Sequence, residues 1–176
     1  MDYIIERIEG EIGLEEYLSD YRDSETFMDC CKACGNFRKR WHCPPLAPEF
    51  EIDFGRYSFV KFAGYKIIPA GAGVIADAHS LLTGPAKRLG NELLKLEHEL
   101  DGRAMGLAQL DSCLCPEGCT RPSGLPCRHP ELVRPALEAY GFDVCKTARE
   151  ILGVELLWSR DGRLPEYLAL VGAVMY

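Results

Sequence analysis

Eight of the nine cysteines fall into two short stretches. Cys30, Cys31, Cys34 and Cys43 lie within fourteen residues, Cys113, Cys115, Cys119 and Cys127 within fifteen, and Cys145 stands alone. Two segments that dense in thiols must be organised either by disulfides or by metal, and the rest of the chain bears on which. With 176 residues, 47% of them hydrophobic, the chain can bury a core of its own and does not need covalent staples. Met1-Asp2-Tyr3-Ile4-Ile5-Glu6-Arg7 lacks the basic start and apolar stretch of a secretory leader. The longest low-polarity runs, Ile67 to Ala76 and Leu168 to Met175, fall short of the roughly 20 residues a membrane helix needs. The expectation is therefore a cytoplasmic protein with no membrane association, whose reduced thiols serve as metal ligands or redox groups. A net charge of -7 argues against a nucleic-acid partner.

The segments between the clusters read as ordinary folded sequence without internal repeats. Leu14, Tyr17, Leu18 and Tyr21 recur at helical spacing, and Ser24 is placed to cap a second short helix leading into Cys30. Pro44, Pro45 and Pro48 imply that the chain leaves Cys43 extended. Residues 57–68 are rich in aromatic and β-branched types and read as a strand, whereas Gly71, Gly73 and Gly84 leave 69–84 ambiguous. A helix is expected over 85–101, with Pro85 in its first turn and Leu89, Leu93, Leu96 and Leu100 on one face. Arg88–Glu92 and Lys95–Glu99 can pair on its outside, and Gly102 ends it.

Ala104 to Leu110 reads as a central strand that delivers the chain to Cys113. Helical patterns follow at 131–140 and 144–152, the second capped by Asp143 and stopped by Gly153. Val154 to Ser159 and Glu166 to Met175, around an Asp161-Gly162 turn, read as a β-hairpin. The order predicts an α+β fold in a single domain over 1–176. A mixed or antiparallel sheet would carry packed helices and two cysteine-rich metal-binding loops, at about 30–48 and 112–130.

The first loop offers Cys31-x2-Cys34-x8-Cys43, a spacing that lets two thiolates reach one ion while the third returns. Cys31 is preferred to Cys30 because adjacent residues point in different directions. The second loop offers Cys113-x-Cys115-x3-Cys119-x7-Cys127, enough for a four-sulfur site. Six proline and glycine residues fill 112–130, so a structureless loop of that length needs an organiser. Residues 30–43 carry +4, residues 113–134 carry +1, and the remainder carries -12. Cations beside thiolate-bound metal stabilise its negative charge. The spacings match neither common ferredoxin run nor a common zinc ribbon. Ligands that are almost all cysteine, and the steps Cys43-Pro44 and Cys115-Pro116, favour an iron–sulfur cluster of the [4Fe–4S] type. Zinc is the alternative, with His42 or His129 as a nitrogen ligand.

Cys31-Lys32-Ala33-Cys34-Gly35-Asn36-Phe37 and Trp41-His42-Cys43-Pro44-Pro45 resemble the first motif of a family catalogued as predicted metal-binding proteins (domain of unknown function 2284). The triplet near 113–119, Pro126-Cys127-Arg128-His129-Pro130, Arg134 to Ala139 and Gly141-Phe142-Asp143-Val144 resemble its second motif, so the likeness spans nearly the whole chain. The resemblance implies metal binding, in a family widespread among anaerobic bacteria and archaea, without an assigned reaction. One departure concerns the triplet, which in the family is nearer C-x2-C-x2-C. Here it is Cys113-x-Cys115-x3-Cys119, with Pro116 at the middle ligand position.

The expected metal ligands are thus Cys31, Cys34, Cys43, Cys113, Cys115, Cys119 and Cys127. Two full clusters need eight ligands, so one centre would draw on Cys30, Cys145, a histidine or a non-protein group, or both loops would share one centre. Cys145 reads as a small core residue, His98 as solvated, and Arg128-His129 as either a helix entry or a contact to the cluster. No nucleophile–histidine constellation or phosphate-cradling loop is evident. The expected role is redox or electron transfer with a protein redox partner. A zinc-stabilised binding module, or an enzyme using an open iron position, is the alternative.

Overall fold

The computed structural model describes residues 2–71, 73–74, 78–106 and 117–176. Their organising element is an antiparallel sheet of four strands in the order β1-β2-β4-β3. These are β1 (Tyr3–Gly13), β2 (Phe59–Pro69), β3 (Arg103–Met105) and β4 (Leu168–Met175). The helices are α1 (Leu14–Asp20), α2 (Ser24–Ala33), α3 (Ala78–Glu99) and α4 (Val144–Glu150). The fold class is therefore α+β, with the antiparallel form of the sheet.

Strand alternation splits the core in two. Ala63, Tyr65 and Ile67 of β2, with Leu168, Leu170 and Val174 of β4, face Leu81, Leu82, Ala86, Leu89 and Leu93 of α3. Val60 and Phe62, with Val171, Ala173 and Met175, face the opposite way. That side is covered by Leu14 and Tyr17 of α1 and by Leu137, Tyr140, Phe142, Val144 and Ala148. Tyr17 stacks on Phe142 at 4.4 Å between ring centroids and meets Phe62 edge-on at 5.1 Å. Its hydroxyl is 3.0 Å from Thr147 Oγ1, which gives the buried polar group a partner. The first cysteine loop adjoins this second side through Leu46.

Several local expectations change in the folded chain. The first strand, β1, was not anticipated, because its charges and two glycines hide the alternation of Ile8, Gly10 and Ile12. Ile8 and Ile12 pack against the second core, as do Ile151 and Leu152, and a Cβ at Gly10 would meet that last pair. Helix α2 is capped by Asp23, whose side chain accepts from Thr26 N–H, one residue before the expected Ser24. Helix α3 begins seven residues early and holds Pro85 inside it, since burial of Leu81 and Leu82 against the sheet outweighs the proline. It ends through Asp101 in the left-handed region (φ 49°), with Gly102 N–H donating to Glu97 O at 2.8 Å. The expected pairs Arg88–Glu92 and Lys95–Glu99 form.

The helix expected over 131–140 is replaced by two 3-10 turns, Pro130–Leu132 and Leu137–Tyr140. Pro135 interrupts the run, and its carbonyl accepts instead from Gly106 N–H at 2.8 Å. The expected C-terminal hairpin does not form. Asp161 and Gly162 do turn, with φ of 51° and 70°, but only Arg160 and Arg163 bridge across the turn. β4 lies instead between β2 and β3, where every one of its side chains is buried. Of the strand expected over 104–110, Ala104 and Met105 lie in β3, and residues 107–110 are outside the described residues.

One polar cluster holds α3 to the sheet. Glu92 accepts from Tyr65 Oη at 2.5 Å, Arg7 Nη1 at 3.0 Å and Arg88 Nε at 3.2 Å. Burial, and the bond to Glu92, push the Tyr65 phenol up to about 12. Burial acts to raise Glu92, yet the bonds from Tyr65 and Arg88 and the Arg7 charge hold it below its ordinary value. A depressed carboxylate stabilises the fold above its unfolded pKa and loses that contribution as pH falls through the folded one. Glu92→Gln should cost about 1 kcal/mol at neutral pH, discounted for its partial exposure. The gap to the parent should close by about pH 3, below the ordinary carboxylate range. Urea midpoints at the two pH values test this, and an undiminished gap in acid would contradict it.

Candidate metal centre

Helix α2 carries the first thiols because its start is pinned to the second core. Asp23 N–H donates to Gly141 O at 2.8 Å, and Asp143 N–H donates to Tyr21 O at 2.8 Å. Gly141 is required there: its φ is 88°, and a Cβ would come within 2.7 Å of Ser24 Cα. The helix then runs outward to Cys30 and Cys31, and Cys34 closes it with its N–H on Cys31 O at 3.0 Å. Tight turns follow. Phe37 N–H donates to Cys34 O, Lys39 N–H to Asn36 O and Cys43 N–H to Arg40 O, each at 3.0–3.1 Å. Arg38 takes φ 61°, and its N–H reaches Pro44 O at 3.1 Å. The chain therefore folds back at Cys43 rather than leaving it extended, and the Pro44–Pro45 bond is cis.

The turns bring the first three predicted ligands within electrostatic reach of one another. Burial, followed by the fields of Cys34 and Cys31, pushes the Cys43 thiol up to about 11, against the opposing charges of Arg121 and Arg40. Cys31 is also raised, first by burial and then by Glu138, Cys34 and Cys30. Cys31, Cys43, Cys119 and Cys127 are half-buried, while Cys30 and Cys34 are exposed. The described cysteines are free thiols. Among the described residues, no three His, Cys, Asp or Glu side chains are grouped closely enough to hold one ion. Cys113 and Cys115 lie outside the described residues.

The second loop reaches the first through Arg121, a residue the sequence did not mark. Its guanidinium donates to Arg40 O at 2.6 Å, Cys43 O at 2.5 Å and Pro45 O at 2.5 Å, and stands 5.1 Å from the centre of the Trp41 ring. Trp41 Nε1 in turn donates to Thr120 Oγ1 at 3.1 Å, and that hydroxyl donates to Pro126 O at 2.8 Å. Thr120 is only 7% exposed, so the contact is an interior one. Burial lowers the Arg121 pKa, and Cys43 and Cys119 oppose that shift. Thiols of both loops thus lie around one cation. The available signal was chemical: an arginine between two prolines and glycines, in a segment with few acids, has little else to bind.

The other predicted features have local roles. Arg128 pairs with Glu117 at 3.0 Å and donates to Gly118 O at 2.8 Å, closing the second loop on itself. His129 Nδ1 lies 3.4 Å from Glu131. His42 is 4% exposed, and its carbonyl accepts from Ala136 N–H at 3.3 Å. Lys32 pairs with Asp29 at 2.7 Å, so part of the first loop's positive charge is answered from α2 itself. His98 is solvated, as expected. Cys145 is exposed and not a core residue, because α4 buries Val144, Thr147 and Ala148 and turns Cys145 away.

A family model described as predicted metal-binding protein, domain of unknown function 2284, matches residues 19–176. The chain belongs to that family. No curated protein and no solved structure matches it significantly. The match covers both cysteine loops of this predicted metal-binding protein and everything after α1. The donor types fit a thiophilic metal, since thiols of the first loop lie within one another's field and the half-buried Arg121 serves both loops. No helix among the described residues is long and apolar enough to cross a membrane.

Proposed function

We propose that the two cysteine loops of this metal-binding protein together hold an iron–sulfur centre, of the [4Fe–4S] type, used for electron transfer in the cytoplasm. Cys31, Cys34 and Cys43 supply the ligands of the first loop, and Cys119 and Cys127 those of the second that lie among the described residues. Cys113 and Cys115 complete the set. The observation that carries this reading is Arg121, which bonds three carbonyls of the first loop while its charge acts on Cys43 and Cys119. A single centre shared by both loops leaves thiols to spare. Two centres would need one further ligand, for which Cys30 is nearest in sequence.

An iron–sulfur cluster supplies a one-electron couple whose potential depends on nearby charge, hydrogen bonds and exposure. Here Arg121 and Arg40 favour the thiolate form of Cys43, and Trp41 shields the joint between the loops. The exposed side of Cys34 gives a protein redox partner its approach. Anaerobic purification followed by iron, zinc and sulfide analysis tests the assignment. Iron with acid-labile sulfide is expected. A colourless protein carrying zinc and no sulfide after reconstitution would overturn it in favour of a zinc-stabilised binding module.

The ligand set has its own test. Cys34→Ser and Cys119→Ser should each lose most of the bound metal, whereas Cys145→Ser should keep it, all measured per folded chain. Retention by both loop variants would refute the assignment.

A further inference from the structure

Beside the cysteine loops lies a half-open cleft of about 270 Å³ that the metal reading does not use. Met28, Leu46, Ile52 and Phe54 give it apolar walls, and Arg22 and Glu138 give it polar groups. Glu51 lies at its edge. Ser24 and Met28 line the cleft from α2, and Cys31 follows them at the next helical step on the same face. The field of Glu138 reaches Cys31, so the thiol lies near the cleft.

Two side chains make this cleft more than a gap. The Arg22 guanidinium stacks 5.0 Å over the Phe54 ring and donates through Nε to Tyr140 O at 2.8 Å. Its orientation is therefore fixed by groups behind it. Glu138 is half-buried, and burial raises its pKa; the contact that opposes the shift is its own backbone amide. No Lys, Arg or His among the described residues is within ion-pair distance of it. A carboxyl group partly withdrawn from water without a cation is disfavoured, and a site of this kind is completed by a ligand that brings the cation.

We infer that this cleft binds a small molecule bearing an ammonium group on a short apolar body, with the ammonium on the Glu138 carboxylate and the apolar part against Met28, Leu46, Ile52 and Phe54. The volume is at the low end for ligand pockets, which limits the ligand to about a dozen heavy atoms. Two sources share this chemistry, a simple primary amine and an apolar α-amino acid. In the second, the α-carboxylate would take the outward N–H groups of Arg22. Either would sit beside Cys31 and therefore beside the proposed centre.

Calorimetric titration of the full chain, purified anaerobically, with isoamylamine, L-leucine and the neutral isostere isoamyl alcohol tests the inference. The amine or the amino acid should bind and the alcohol should bind at least about tenfold more weakly, because it lacks the charge-assisted bond. Leucine binding more tightly than isoamylamine assigns the amino acid, and equal or weaker binding assigns the simple amine. Glu138→Gln should weaken the ligand by about tenfold or more with its near-UV spectrum unchanged. Met28→Phe, which fills the cleft and leaves Glu138 in place, should weaken it as well. Failure of both charged probes to bind, equal binding of the alcohol, or parent-like binding in Met28→Phe would overturn the inference. None of these readouts depends on which metal the protein holds.

Discussion

Arg121→Ala is expected to lose bound metal and to destabilise the fold by about 3 kcal/mol. The estimate rests on three bonds from a charged donor, each worth about 1.5–3 kcal/mol when buried, reduced for partial exposure and for their sharing one side chain. All three acceptors, on Arg40, Cys43 and Pro45, are backbone carbonyls of the first loop. Removing the guanidinium takes that donor from the Cys43 and Pro45 carbonyls and leaves Arg40 O with Cys43 N–H, while the Trp41–Thr120 bond still links the two loops. It also strips the cation from beside Cys43 and Cys119, so their thiolates become harder to form and metal affinity falls with them. Arg121→Lys separates the two effects. Lysine keeps the charge but cannot span three acceptors with a planar fork, so metal should be partly retained while stability drops. Denaturant midpoints and metal content per folded chain give the answer. An alanine variant with parent-like stability and metal content would remove Arg121 from the account of the site.

Arg134→Ala should be the more damaging to folding, at about 3–5 kcal/mol. Arg134 meets Glu97 through both Nε, at 2.7 Å, and Nη2, in a pair whose side chains are 13% and 16% exposed. Glu97 also accepts from Ala104 N–H at 2.5 Å, so the same carboxylate holds α3, β3 and the segment after the second loop. Alanine would leave that carboxylate buried without a cation. Its loss would also free residues 133–136, which pair with Gly106 and bond His42 O, so the first loop would lose its support. A double variant, Arg134→Leu with Glu97→Leu, removes both charges and should recover much of the loss. Urea unfolding of the three variants tests this. A double variant no better than the single would show that the pair acts through its shape rather than through its charge.

How far the sequence anticipates this site depends on what each residue needs from its neighbours. The thiols were legible because cysteine spacing is a local property, readable without knowing where the loops sit. Arg121 was not, because its partners are carbonyls about eighty residues away in sequence, and a carbonyl carries no residue identity. Glu138 was hidden for a related reason. It sits in an unremarkable run, and only the packing of α2 and residues 46–54 around it makes its charge costly. Cys145 shows the reverse error, since residue type suggested a core position while the helix face decided otherwise.

The elements divide in the same way. α1, α4 and β2 follow from periodicity and caps that lie inside each segment. The 131–140 segment and the C-terminal strand do not, because Pro135 yields its carbonyl to Gly106 and β4 takes its partners from β2 and β3. By itself, then, the sequence determined the fold class, the two thiol-rich loops and the family to which they belong. Spacing, helical period and turn chemistry act over a few residues and survive without context. Only the tertiary structure decided that the two loops meet, that one arginine joins them, and that a half-buried carboxylate lies near Cys31. Those facts depend on burial and on bonds to backbone atoms, which exist only once distant segments have been packed together.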